Sequence, residues 1–80
     1  MTDIINAPVH YTQYAIEPIT YIQANAMSFW RGSIIKYSSR AGAKTYDGLT
    51  NAQSEITDLK KAIWFCQLRI DSLEREDILK

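Results

Sequence analysis

A regular spacing of apolar residues in the C-terminal half limits what this chain can fold into. Intervals of four and three residues alternate without a break through Ala52, Ile56, Leu59, Ile63, Cys66, Ile70 and Leu73. A repeat of about three and a half residues is typical of a long α-helix that packs along one seam. Thr50 followed by Gln53 fits a capping box, so we predict a helix after Thr50 that runs to about Leu73 or beyond.

Further apolar residues lie off this seam, at Trp64, Phe65 and Leu68. The helix therefore has more apolar surface than one partner helix would cover. Two interpretations stay open at this point. Either all of this surface is ordinary core within one chain, or one face contacts the same chain and another contacts a second copy.

The length of the chain favours self-association. Eighty residues form a single domain, 1–80, with a small core that needs extra support. A disulfide is excluded because Cys66 is the sole cysteine, and with one histidine, His10, the chain cannot supply a conventional zinc site of four Cys and His ligands. We therefore predict a homo-oligomer that assembles through the long helix, with no metal or other cofactor.

The N-terminal half predicts two shorter helices and an all-α fold. Residues 1–14 show no helical period and are interpreted as an extended arm, so that residues 15–80 form the helical core. Pro18 suits the first position of a short helix that ends near Asn25. Ser28 is a candidate N-cap for a second helix from Phe29 to about Arg40, with Gly42 as the left-handed residue beyond it. Residues 43–50 then form a turn.

Charge is balanced over the whole chain and unevenly distributed along it. Nine Lys and Arg balance nine Asp and Glu, which argues against a binder of long nucleic acid. Residues 18–46 hold four basic residues and no acidic one, namely Arg31, Lys36, Arg40 and Lys44. No apolar run approaches a membrane span and no signal peptide is recognisable, so we expect an intracellular protein that does not contact the membrane.

The basic segment predicts a phosphate site. Arg offers a planar fork of donors and Lys a mobile point charge, and both suit phosphate oxygens. Aromatic rings that could stack on a nucleobase are Tyr11, Trp30, Tyr37 and Tyr46. The alternative is that the cations are solvated or pair with Glu55 and Asp58, and that the rings belong to the core.

Catalytic motifs are mostly missing from the sequence. The Walker A loop, the dinucleotide-binding glycine motif, the zinc-protease motif and the EF-hand loop do not occur. His10 is more often a packing or capping residue than a catalyst, and Cys66, on the apolar seam, is predicted to be buried. The residues alone favour binding over catalysis.

Four stretches together resemble a small domain of unknown function from tailed bacteriophages. They are "PVHYT" at 8–12, "IEPI" at 16–19, "FWRGSIIKYSSRAGAK" at 29–44 and "EITDLKKAIWFCQLRI" at 55–70. The family pattern reads Pro-x-His-Tyr, Ile-Glu, Gly-Asn-x-Ile-Lys-Tyr with Arg-Ala-Gly-x-Lys, and Asp-Leu-x-Lys-Ala-x-Trp-Tyr. The matching positions are His10, Tyr11, Glu17, Gly32, Lys36, Tyr37, Arg40, Gly42, Lys44, Asp58, Lys61 and Trp64. The departures are Gln13 and Tyr14 in place of Gly, Ser33 in place of Asn, and Phe65 in place of Tyr.

The resemblance implies a nucleotide ligand, because the same domain occurs in a phage nucleoside monophosphate kinase that lacks a Walker motif. Such kinases are longer than this chain, so we expect a binder that sequesters a nucleotide, plausibly a cyclic immune signal, in the cytoplasm of the bacterial host. The expected phosphate ligands are Arg31, Lys36, Arg40 and Lys44; Tyr11, Trp30 and Tyr37 would stack on or enclose the base; His10 would donate to phosphate or base. One alternative is a small nucleoside monophosphate kinase that uses ATP and Mg²⁺, with Glu17 or Asp58 helping to place the metal. The other is an adaptor that grips a host protein with the long helix.

Overall fold

The protein is described here from a computed structural model, which covers residues 14–79. Helix α1 spans Pro18–Ala24, α2 spans Phe29–Arg40 and α3 spans Asn51–Leu79. No strand occurs between residues 14 and 79, which confirms the all-α prediction. The predicted arm falls outside these residues except for its last one, and so do the candidate ligand residues His10 and Tyr11.

The sequence signals at the helix ends act as predicted. Pro18 occupies the first turn of α1, and the helix ends at Asn25, whose N–H donates to the Tyr21 carbonyl. At the start of α2 the Ser28 hydroxyl accepts a hydrogen bond from the Arg31 N–H at 3.3 Å. These caps satisfy backbone groups that lack partners within the helix, and they fix where α1 and α2 begin and end.

The connection between α2 and α3 also follows its sequence. Gly42 has a φ of 87°, in the left-handed region that other residues rarely adopt. Thr50 and Gln53 form the reciprocal capping box: the Gln53 N–H donates to the Thr50 hydroxyl at 3.0 Å, and the Thr50 N–H donates to the Gln53 side chain at 2.9 Å. From there α3 continues for 29 residues, beyond the predicted Leu73.

Packing is sequential, since α1 lies on α2 and α2 lies on α3. Gly32 is buried where α1 crosses α2, and a Cβ atom at this position would lie 3.0 Å from the Ile22 side chain. Arg40, at the end of α2, reaches Asp58, whereas Phe29, at its start, contacts Phe65 with a ring separation of 5.6 Å. The two helices therefore run in opposite directions.

The face of α3 that α2 covers is polar around Asp58 and apolar around Phe65, whose ring contacts Phe29. Ser54 and Asp58 are completely buried there, and Ala62 is the one buried apolar residue among residues 14–78. The apolar seam of α3 borders this face and is largely exposed, with Ile63 on it 65% exposed. The interpretation of the seam as core within one chain is therefore wrong. Cys66, predicted to be buried, is only half-buried.

Among the described helices, α1, α2 and α3, none combines the length and the apolar character that crossing a bilayer requires.

Candidate functional site

Four cations gather around two tyrosine rings where α2 and α3 meet the turn between them. We call this group the basic cluster, and it consists of Lys36, Arg40, Lys44 and Lys61 with Tyr37 and Tyr46. The Arg40 guanidinium lies 4.9 Å from the centre of the Tyr37 ring, and the Lys61 ammonium lies 4.9 Å from the centre of the Tyr46 ring. Lys36 approaches Tyr37 at 5.3 Å, and Lys44 approaches Tyr46 at 5.0 Å. Attraction of cations to ring faces holds like charges near one another.

A buried carboxylate lies within the basic cluster. Asp58 Oδ1 accepts hydrogen bonds from the Tyr46 hydroxyl at 2.5 Å and from Arg40 Nη2 at 3.2 Å. For Arg40 the alternative in which the cations pair with Glu55 and Asp58 is therefore confirmed in its pairing with Asp58. Burial lowers the pKa of Arg40, but the hydrogen bond to Asp58 and its negative charge act in the opposite direction, so that the pKa lies above its ordinary value.

Tyr46 organises this arrangement through both its backbone and its hydroxyl group. Its N–H donates to the buried Ser54 hydroxyl at 2.9 Å. The phenolic oxygen donates its one proton to Asp58 and accepts from Arg40 at 2.6 Å and from Lys61 at 3.2 Å, which fills the capacity of a phenol. The turn between α2 and α3 is thereby fixed to the first turns of α3.

Lys61 is the member of the basic cluster that the sequence did not select as a ligand residue. The signal was present, because Ser54, Asp58 and Lys61 are four and three residues apart and so share one face of α3. The apolar seam, on a bordering face of α3, is the more regular pattern in the sequence.

The basic cluster keeps a positive surplus. Four cations and one carboxylate give a formal charge of +4 − 1 = +3. Arg40 with Asp58 is the one ion pair within 4.0 Å between residues 14 and 79. Lys36 is exposed, and Lys44 and Lys61 are half-buried. Arg40 Nε is buried and has no hydrogen-bond partner in this part of the chain.

A pocket of about 290 Å³ lies between α1 and α2. Its lining is mostly apolar and includes Ile19, Ile22 and Phe29. Lys36 and Arg40 also line it, so these two residues belong both to the pocket and to the basic cluster. The arrangement joins an apolar cavity to a surplus of positive charge, which can accommodate an anion that carries an apolar or aromatic body.

The entry of the chain into α1 is anchored beside this pocket. Tyr14 lines the pocket, and its hydroxyl donates to the Ser39 carbonyl of α2 at 2.5 Å. The Glu17 carboxylate accepts from the Tyr14 N–H at 2.9 Å, while its other oxygen is buried and has no partner among the described residues. Glu17 therefore fixes the local backbone of the segment that leads into α1.

The other predicted ligand residues of α2 lie in different places. Arg31 is exposed in the first turn of the helix and belongs to neither the pocket lining nor the basic cluster. Trp30 is half-buried, with its ring edge toward Phe29 at 6.1 Å. Tyr37 stacks on Phe65 with ring centres 5.8 Å apart, so one face of this ring is already covered. The structure thus brings together Lys36, Tyr37, Arg40 and Lys44 from the predicted set.

The described residues offer no obvious metal centre. No three His, Cys, Asp or Glu side chains between residues 14 and 78 lie together in a way that could hold a metal ion. The Asp58 oxygen that accepts from Tyr46 and Arg40 is occupied by these bonds, and its residue is completely buried.

Comparison with known proteins gives one match. Residues 5–67 match the model of a protein family of unknown function, DUF3310. No curated protein and no solved structure matches the chain.

Proposed function

The chain belongs to DUF3310, and from this membership and the geometry above we propose that it binds a phosphate-bearing nucleotide. The phosphate lies on Lys36 and Arg40, and the base enters the pocket between α1 and α2. The observation that carries the proposal is that these two cations line an apolar pocket and also belong to the basic cluster.

The charge supports an anionic ligand. One carboxylate cannot neutralise four cations, and the cluster keeps a formal charge of +3. Lys36 is exposed and has no ion-pair partner within 4.0 Å in residues 14–79, so its ammonium is available to a phosphate oxygen. Arg40 is already paired with Asp58, yet its buried Nε finds no acceptor among residues 14–79. Hydrogen bonds between such cations and phosphate are roughly twice as strong as neutral ones.

The size of the pocket supports a small ligand body. A volume of about 290 Å³ lies at the lower end of ligand pockets in proteins, which hold roughly 300 to 1,000 Å³. It suits one base or one nucleotide unit, so a larger cyclic oligonucleotide would leave its other units outside. Phe29, which lines the pocket and is 70% exposed, is a further ring against which such a unit can pack.

The N-terminal residues are close enough in sequence to complete the site. Tyr14 lines the pocket, and Tyr11 and His10 precede it by three and four residues. A chain spans at most about 3.6 Å per residue, so the Cα atoms of both lie within about 14 Å of that of Tyr14. In the proposal His10 donates to the phosphate or base, and Tyr11 covers the base.

The biological setting of the proposal is sequestration. The protein is a phage product in the cytoplasm of the bacterial host, where it withholds a nucleotide, such as a cyclic immune signal, without converting it. The balance of nine basic and nine acidic residues continues to argue against long nucleic acid as the ligand.

The proposal is tested by titration calorimetry of the full chain with cyclic and linear nucleotides and with inorganic phosphate. Lys36→Ala is the variant of choice, because this exposed side chain can be removed without disturbing the buried Arg40–Asp58 pair. Loss of one charge-assisted contact weakens binding by about 1.5 to 3 kcal/mol, or roughly 10- to 150-fold in Kd. Arg75→Ala is the matched control, since it removes an exposed cation near the far end of α3 and should leave Kd unchanged.

Two results would contradict the proposal. One is the absence of heat with every nucleotide at millimolar concentration. The other is equal weakening by Lys36→Ala and Arg75→Ala, which would indicate attraction to overall charge instead of a site. Incubation of the complex with ATP and Mg²⁺ separates a binder from the kinase alternative. A binder releases the nucleotide unchanged, whereas a kinase releases a phosphorylated product.

A further inference from the structure

The apolar seam of α3 is uncovered over most of its length. We define the seam by its large side chains and its cysteine, namely Ile56, Leu59, Ile63, Cys66, Ile70 and Leu73. Ile63 is 65% exposed, Ile56 49% and Ile70 47%. Helix α3 is about 43 Å long and α2 about 18 Å, so α2 covers less than half the length of α3, on a face that borders the seam.

The single chain also has little core of its own. Ala62 is the one buried apolar residue between residues 14 and 78, and the other two buried residues of α3 are polar. A small domain needs a larger apolar interior or added support, and Cys66 alone cannot supply a disulfide within the chain. The seam is a continuous apolar surface that can provide this support.

The order of residues along the seam specifies how a second copy would pack. In heptad notation Ile56, Ile63 and Ile70 occupy the a positions, while Leu59, Cys66 and Leu73 occupy the d positions. In a parallel coiled coil, isoleucine at a with leucine at d favours two strands over three or four. We infer that α3 pairs with α3 of a second copy as a parallel, in-register coiled coil.

The charges beside the seam fit this arrangement. In a parallel pair each g position faces the e position five residues further along the other copy. Glu55 then faces Lys60 of the second copy, and Arg69 faces Glu74 of the second copy, so both contacts join opposite charges. By symmetry each contact occurs twice.

An antiparallel pair in which the two seams overlap over their full length has no such match. It places Ile63 on Cys66 of the second copy, which brings Glu55 opposite Glu76 of the second copy. Like charges at these positions oppose pairing, so the charge pattern selects the parallel orientation.

The coiled coil is independent of the proposed ligand site. The pocket lies between α1 and α2, and the large seam residues of α3 do not line it. Each copy in the dimer therefore keeps its own open pocket. Dimerisation and nucleotide binding can fail separately, and one result does not decide the other.

The first test is sedimentation of the full chain at concentrations of about 1 to 100 µM. This range brackets the Kd of most specific dimers. The wild type should sediment as a dimer, and Ile63→Asp should sediment as a monomer. Ile16→Asp is the matched control, because Ile16 lies outside α3 and is 67% exposed, close to the 65% of Ile63. A monomeric wild type at all concentrations overturns the inference, and so does equal dissociation by both variants.

The second test addresses orientation through charge reversal. Arg69→Glu creates two repulsive contacts in the parallel dimer and should weaken it about tenfold or more. Adding Glu74→Arg restores opposite charges and should recover most of that loss. Residues five apart do not face each other on one helix, so recovery requires the second copy. Failure to recover overturns the parallel pairing.

The third test uses cysteine cross-linking in a Cys66→Ser background. Leu59→Cys should form a disulfide between copies on mild oxidation, because residue 59 faces itself only in the parallel, in-register dimer. In the antiparallel arrangement residue 59 faces residue 70, about 16 Å along the helix from its own counterpart, which is beyond disulfide reach. A dimer that sediments normally but does not cross-link at this position contradicts the parallel arrangement.

Discussion

Removing the Arg40 guanidinium should destabilise the fold strongly, which differs from the effect expected of a purely ligand-binding residue. Asp58 is completely buried, and its Oδ1 accepts from Arg40 and from the Tyr46 hydroxyl. In Arg40→Met the carboxylate keeps the Tyr46 bond but loses its charged partner. Breaking a buried ion pair from one side costs about 3 to 5 kcal/mol. Because Lys61 remains near the Tyr46 hydroxyl, we expect the lower value, about 3 kcal/mol.

That loss is large for a chain of this length. A stability of roughly 0.05 to 0.15 kcal/mol per residue gives about 4 to 12 kcal/mol for 80 residues. About 3 kcal/mol corresponds to a fall of roughly 12 to 24 °C in Tm for a domain of this size. The double variant Arg40→Met with Asp58→Asn removes the unpaired charge and keeps an acceptor for Tyr46. We therefore expect it to recover at least half of the loss.

The assay is urea unfolding followed by circular dichroism at one fixed protein concentration, because the stability of an oligomer depends on concentration. Arg75→Met is the control, since substitution of an exposed residue usually changes stability by less than about 0.5 kcal/mol. The reasoning would be refuted if Arg40→Met unfolded like Arg75→Met, or if adding Asp58→Asn made the Arg40 variant less stable still.

Three further substitutions test other parts of the fold by thermal unfolding. Tyr46→Phe removes the hydroxyl that joins three side chains and should lower the free energy of unfolding by about 1 to 3 kcal/mol. An unchanged free energy of unfolding would show that these hydrogen bonds do not stabilise the fold. Gly32→Ala places a Cβ 3.0 Å from Ile22 and should lower Tm although alanine is the better helix former; a rise in Tm would mean that α1 does not pack closely here. Thr50→Ala breaks the capping box with Gln53 and should cost about 1 kcal/mol, an effect that would be missing if α3 began elsewhere.

The helices were predictable because their ends depend on local chemistry. Ser28, Gly42 and the Thr50–Gln53 pair act on backbone groups within a few residues, so the sequence contains the whole interaction. The spacing along α3 was equally local, and it correctly indicated one long helix. Its end at Leu79 agrees with the prediction of Leu73 or beyond, which was open because the last apolar positions of the seam do not coincide with a stop signal.

The contacts between helices were harder to predict. The sequence indicated an apolar seam, and apolar seams usually form the core, yet α2 covers the polar face with Ser54 and Asp58. The alternative in which cations pair with Asp58 was raised from the sequence, and the structure confirms it for Arg40. Lys36 and Arg40 were selected from their spacing, but the pocket beside them depends on how α1 crosses α2 at Gly32, which no local pattern specifies.

The central claim is that a phosphate-bearing nucleotide occupies the pocket with its phosphate on Lys36. Amide chemical shifts of the labelled full chain, followed during nucleotide titration, test this claim most directly. We predict saturable shifts that concentrate at Gly32, Ser33 and Lys36, which line the pocket, with little change at Ile63 and Ile70 on the seam. Shifts that concentrate on the seam, or no shifts along α2 at saturating nucleotide, would contradict the account.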